Sequence, residues 1–342
     1  MKKLISLILS VLMLLSLVTV IVSCSNSDTN TTNESETNNN NLDNKTVSVA
    51  TLNGTTGFGM AKLMHDNANS ESKEYVFEVV PSTSVDKIMA GIVSGEYDIA
   101  ALPTNAAANL YNKTNGKIKI VAINTLGVLY LVSNDNTIDS IDDLEGKTIY
   151  CPAQNPLFIA KYIFEKNNLT DKVTLDSTTY SSPDAIRAAV IAGEIDYAIL
   201  PEPMVTIATL NNKNYSVVLD LTEEWNKVSG GKELVQGCVV ANAEFIENNP
   251  SKIKSFLSEY KASIEYVKNP ENVKQSAEYI NEFEIFTNPT IAEKAIPKCN
   301  IEYVDSESMK EYMENFVNAM FEIAPASVGN KIPDENFYYI NK

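Results

Sequence analysis

Between residues 46 and 342, short apolar runs alternate with stretches in which apolar residues recur at three- and four-residue intervals. The runs predict strands at Val47–Leu52, Tyr75–Val80, Tyr97–Leu102, Ile118–Ile123, Lys147–Cys151, Lys172–Leu175, Ile195–Leu200, Tyr215–Leu219 and Gln236–Ala241. Helical spacing predicts helices at Gly59–Ala68, Ala106–Asn112 and Phe158–Asn167. In the tail, Asn249 stands as a cap before a stripe of Ile253, Phe256, Leu257, Tyr260 and Ile264, and Pro270 and Pro289 mark later helix starts. Strands that alternate with helices predict an α/β fold with doubly wound parallel sheets.

One segment occurs twice. Residues 86–103, DKIMAGIVSGEYDIAALP, align without gaps on residues 184–201, DAIRAAVIAGEIDYAILP, and half of the positions are identical. Each copy reads as helix, turn and strand. Ser84 and Ser182 stand at the N-caps, with Pro183 at the first helical position of the second copy. Gly95 and Gly193 stand where a helix end favours a left-handed residue. The closing runs, up to Pro103 and Pro201, suit parallel strands covered on both faces. A spacing of about a hundred residues is too long for a solenoid repeat and fits two similar lobes instead.

Residues 1–45 follow a different rule. Lys2 and Lys3 precede an apolar run from Leu4 to Ile21, and Ile21-Val22-Ser23-Cys24 resembles a bacterial lipobox. The expectation is a signal peptide over 1–23, cleaved before Cys24. Lipid on the Cys24 sulfur would then hold the chain on the extracytoplasmic face of the cell membrane. The polar segment Ser25 to Asn44 lacks apolar surface, so 24–45 reads as a disordered tether.

Composition narrows the partners. The chain carries 27 Lys plus Arg against 44 Asp plus Glu, and Arg187 is its only arginine. Nucleic acid is disfavoured, because phosphate backbones require basic clusters. Beyond Cys24, the widely spaced Cys151, Cys238 and Cys299 form neither a disulfide framework nor a metal motif and read as small buried apolar residues. His65 reads as a surface residue, and Glu71, Glu74, Glu223 and Glu224 as solvated faces.

Four features in register resemble the nitrate/sulfonate/thiamine-precursor group of type II periplasmic binding proteins. These are the Gly-rich turn Leu52 to Lys62, the doubled helix–Gly-Glu-x-Asp–strand unit, Ile141-Asp-Asp-Leu-Glu-Gly-Lys-Thr-Ile149, and Gln236 to Pro250. The resemblance implies two doubly wound parallel-sheet lobes joined by a two-strand hinge. Lobe one would comprise 46–132 plus 236–342, and lobe two 133–235. It further implies a monomeric solute-binding protein that hands a small molecule to an ABC permease and its ATPase, with no cofactor, metal or catalytic residues. The compatible ligands are aromatic or heteroaromatic molecules, vitamin precursors and sulfonate-like anions. Two alternatives stay open. One is an enzyme of the same fold in pyrimidine-precursor or menaquinone synthesis, and the other is a surface sensor.

Ligands of open α/β sheets bind beyond the carboxyl ends of the strands. That rule selects Asn53–Gly57, Ser82–Ser84, Pro103–Asn105 and Thr125–Tyr130 from one lobe. From the other it selects Pro152–Asn155, Thr179–Ser182 and Leu200–Met204. The candidate ligand contacts are Asn53, Thr55, Thr56, Gly57, Thr83, Thr104, Asn105, Tyr130, Gln154, Asn155, Tyr180 and Glu202. The turn at 53–57 offers backbone N–H groups. Tyr130, Tyr180 and Trp225 are each either a stacking surface or core. Glu202 is the sole acid of the set and fits an amine or ring N–H. None of the selected segments holds a Lys or Arg, which disfavours an anion held by side-chain charge and leaves binding through backbone N–H groups open.

Overall fold

The computed structural model describes residues 46–340, so the expected signal peptide, tether and Cys24 lie outside the described residues. The chain opens with β1 (Val47–Leu52), α1 (Thr55–Phe58), α2 (Ala61–Asn69) and β2 (Tyr75–Val80). It continues through α3 (Val85–Ser94), β3 (Ile99–Pro103), α4 (Thr104–Thr114) and β4 (Ile118–Leu126). After Gly127 and Val128 come β5 (Leu129–Ser133), β6 (Thr148–Tyr150), α5 (Asn155–Lys166), β7 (Thr174–Asp176) and α6 (Pro183–Ala192). Next are β8 (Tyr197–Pro201), α7 (Met204–Asn211), β9 (Ser216–Asp220) and α8 (Leu221–Ser229). The last part comprises β10 (Val235–Asn242), α9 (Ala243–Asn248), α10 (Pro250–Lys268), α11 (Val273–Glu282), α12 (Pro289–Ala295), β11 (Ile301–Val304) and α13 (Ser306–Ile323).

Two sheets form. The first has the order β11-β4-β10-β3-β1-β2 and the second β7-β6-β8-β5-β9. The doubly wound α/β class therefore stands, with one refinement. β1 pairs in parallel with β2 and β3, and β6 with β7 and β8. β5, β10 and β11 run antiparallel to their neighbours. The chain passes between the sheets at 127–128 and again at 230–234, so β5 and β10, each entered from the other sheet, have no helical crossover to set them parallel, whereas β11 follows α12 at the sheet edge.

Residues 129–132, assigned to lobe one by the expected boundary, pair with β8 and β9 in the second sheet. The polar break in this stretch, Asn124-Thr125, falls inside β4, while only Gly127 separates Leu126 from Val128, which hides the crossing. The expectation also has no strand at β11.

The two repeat copies take the expected form, α3–β3 in the first sheet and α6–β8 in the second. Gly95 and Gly193 close their helices at φ +81° and +74°, where a side chain is strained. Ser182 accepts from Ala185 N–H at 3.2 Å, whereas Ser84 and Asn249 make no side-chain cap bond. At Ser84 a short 3-10 turn leads directly into α3.

Three apolar clusters hold the fold. One packs α2, α10, α11 and α12 on one face of the first sheet, and another packs α6 and α7 on the second sheet. The third is continuous from the first sheet through α13 and α8 to α5 and the second sheet. Trp225 lies within it at 1 % exposure, with Tyr162 of α5 on one side and Phe316 of α13 on the other. Cys151, Cys238 and Cys299 are buried and free, packed as small apolar residues. Glu224 is not solvated as expected, being buried at 4 % exposure and paired with Lys227. No helix among the described residues is long and apolar enough to cross a membrane.

Candidate functional site

The carboxyl ends of strands from both sheets meet around a cavity of about 230 Å³. Each of the seven segments selected by the strand-end rule supplies at least one lining residue. From the first sheet come Asn53 to Thr56, Ser82 and Thr83, Pro103, and Thr125. The crossing adds Val128 and Leu129. From the second sheet come Asn155, Ser182, and Pro201 to Met204. Leu52, Pro156, Pro183, Asp184 and Gln236 complete the wall.

The first-sheet side is a set of turns tied to one another. Asn53 donates its backbone N–H to Val80 O at 2.9 Å, and its Oδ1 accepts from Ser82 N–H at 2.7 Å. These bonds hold the turns after β1 and β2 side by side. Gly54 adopts φ 86°, ψ −160°, a conformation that only glycine enters without strain. Asn124 Nδ2 donates to Thr56 O at 3.1 Å and to Tyr260 Oη at 3.0 Å, fixing α1 against the sheet. At the crossing, Val128 N–H donates to Gln236 Oε1 at 2.7 Å.

The second-sheet side carries the charge. Glu202 follows β8 and is 2 % exposed. Its carboxylate accepts from Thr206 N–H at 3.1 Å and from Thr206 Oγ1 at 3.0 Å, which covers a donor in the first turn of α7. Burial raises its pKa above the ordinary carboxylate value, and the Thr206 bonds oppose that rise. Asp184 is exposed and paired with Arg187 at 2.9 Å. Asn155 opens α5 at 8 % exposure, and its buried Oδ1 has no hydrogen-bond partner.

Of the candidate contacts, Asn53, Thr55, Thr56, Thr83, Asn155 and Glu202 line the cavity and the other six do not. Gly57 lies beneath the turn, where an added Cβ would meet Leu52 O at 2.4 Å and Ile285 Cγ2 at 2.8 Å. A side chain at Gly57 therefore disturbs the fold, not the approach of a ligand. α4 begins at Thr104 with no intervening loop, so Thr104 turns inward and donates to Val235 O at 2.8 Å. Asn105 is buried beside it, its Oδ1 unpartnered. Tyr130 faces away because strand side chains alternate and Leu129 takes the cavity side. Its hydroxyl donates to Lys298 O at 2.9 Å, and burial raises its pKa. Gln154, at φ +69°, is exposed at the cap of α5. Tyr180 packs edge-on against Tyr150 and donates to Glu194. Trp225 is core, and His65 sits on α2 against Glu282 and Tyr279.

The sequence reading missed Thr125 and Gln236 as individual residues, although Thr125 lay in a selected segment and Gln236 opened a predicted strand. It also missed the prolines of the wall. Pro103 and Pro201 were legible as strand ends, while Pro156 and Pro203 stand one residue beyond positions already chosen.

Residues 70–276 match the family described as ABC transporter, phosphonate, periplasmic substrate-binding protein. The chain belongs to that family. Solved structures agree on the fold of this binding-protein chain. An ABC transporter protein from Parabacteroides distasonis superposes with a TM-score of 0.74 at 24 % identity, over 87 % of this chain and 99 % of that one. The periplasmic aliphatic sulphonate binding protein SsuA from Escherichia coli gives 0.68 at 13 % identity, over 87 % and 92 %. The periplasmic nitrate-binding protein NrtA from Synechocystis gives 0.57 at 13 %, over 83 % and 84 %. No curated protein matches the sequence.

Proposed function

We propose that this binding protein captures a small organic solute in the cavity between its two sheets and delivers it to an ABC permease and ATPase. The observation that carries the reading is the convergence of seven strand-end segments, from both sheets, on one cavity. A ligand touching both walls favours their approach, and a rotation about the crossings at 127–128 and 230–234 supplies that movement. The wall holds no His, Cys or Lys beside its two acids, which fits capture better than turnover.

The protein acts as a monomer held on the extracytoplasmic face of the membrane by lipid on Cys24, with 24–45 as its tether. The motif Ile21-Val22-Ser23-Cys24 supports that anchor. A thermal-shift screen of small aromatic, heteroaromatic, sulfonate and phosphonate compounds tests the capture reading. A ligand at a hundred times its Kd adds about 2.7 kcal/mol to stability. A screen without one stabilising compound overturns it. Cys24→Ala is expected to leave the protein unprocessed or in the medium, and unchanged membrane fractionation refutes the anchor.

A further inference from the structure

The cavity wall contains no Lys or Arg and two acids, of which Asp184 is already paired with Arg187. Glu202 is different. Among the described residues it makes no ion pair, and its only hydrogen bonds come from Thr206, one to each carboxylate oxygen. Each oxygen keeps acceptor capacity. The nearby charge of Lys298 also favours the ionised form, less than the Thr206 bonds do, and makes no ion pair with it. A buried carboxylate without a cation is costly, and a hydrogen-bonded cationic or N–H partner relieves that cost. Asn155 adds a second incomplete group to the same wall, 8 % exposed with Oδ1 unpartnered. The wall mixes apolar groups, among them Leu52, Leu129, Pro103 and Pro201, with the uncharged hydroxyls of Thr55, Thr56, Ser82, Thr83, Thr125 and Ser182.

On the capture reading above, we infer that the solute presents an N–H donor to Glu202. The class is a small organic amine or N–H heterocycle, neutral or cationic at that end, rather than a phosphonate or sulphonate. A phosphonate or sulphonate at the same place would set like charge against Glu202. Asn155 then orients the ligand, since its amide serves as donor or acceptor by a half-turn. Two arrangements could serve an anion instead: the 53–57 turn with the hydroxyls of Thr55, Thr56, Ser82 and Thr83, and Arg187, which touches Met204 Sδ at 3.2 Å and would have to leave Asp184 to reach the cavity.

Calorimetry on the purified protein separates these cases with two sets of probes. The first is benzylamine, 2-aminopyrimidine and 2-(dimethylamino)pyrimidine, the last lacking the N–H. The second is methylphosphonate and ethanesulfonate. The amine or the aminopyrimidine is expected to bind, and removing the N–H or substituting Glu202→Gln to weaken binding by about 10- to 100-fold. Arg187→Gln is expected to leave it unchanged. Because Glu202 also covers the start of α7, Thr206→Val serves as the structural control. It lowers the melting temperature while amine binding persists. If Glu202→Gln does not fold, Glu202→Asp, which keeps the charge and withdraws it by one methylene, must show the weakening. Amine binding that Glu202→Gln or Glu202→Asp leaves intact overturns the inference. So does anion binding that is lost in Arg187→Gln, and the capture reading then survives. Absence of binding by every probe in both sets overturns both.

Discussion

The two copies of the repeated unit differ where they end. In both, a helix closes on a left-handed glycine and a buried strand runs to a proline. After Pro103 the next helix starts at once, and Thr104 is spent on Val235 O. After Pro201 two residues intervene before α7 starts at Met204, and they bring Glu202, Pro203 and Met204 to the cavity wall. The copies differ at their shared aspartate too. Asp98 is 4 % exposed and accepts from Ser48 N–H at 3.0 Å and Ser48 Oγ at 2.9 Å, tying β3 to β1. Asp196 is exposed and accepts from Asn134. A duplicated scaffold thus keeps what packing requires in the strand and helix, and spends its freedom at the tips.

The sharpest way to break that comparison is at the aspartates. Asp98→Ala is expected to cost about 2 kcal/mol in denaturant unfolding, because half-buried donors at Ser48 lose their carboxylate acceptor. Asp196→Ala is expected to cost less than about 0.5 kcal/mol, as exposed substitutions do. Equal losses would mean that the two units are held in the same way. Next is Thr104→Val, which removes the hydroxyl donor to β10 and is expected to cost about 1 kcal/mol with ligand affinity unchanged. A fall in affinity at constant stability would put Thr104 at the ligand after all.

The smallest effect is a pH dependence. Burial raises the Glu202 carboxyl, so the fold favours its protonated form. That contribution to stability is fully present below the ordinary carboxylate pKa and is lost as pH rises through the raised value. Glu202→Gln removes the loss, so its melting temperature relative to the parent should climb between pH 4 and pH 7. A flat difference would mean that α7 fully compensates the charge.

The fold was legible wherever one signal acted alone. β1 and β2 match their predicted bounds, since each is an apolar run between polar turns. β5 was lost because the polar pair Asn124-Thr125 falls inside β4 and not at the crossing, and β11 because four residues within a helical tail carry little pattern. The site was legible by segment and less so by side chain. Strand ends can be counted from sequence, but which side chain faces the cavity depends on where the next helix begins. Thr104 and Gln154 are both decided by that single residue of register. Glu224 misled for a related reason, because one face of α8 is covered by neighbours that no local pattern announces.

Trp225 is the chain's only tryptophan, and it stands where the cores of the two sheets join, away from the cavity wall. Its indole is packed between residues of α5 and α13. The protein therefore carries a single indole, which can be excited apart from its tyrosines, in the core that the two sheets share. If capture brings the two sheets together as proposed, its emission should change when a solute fills the cavity, although the indole does not line that cavity.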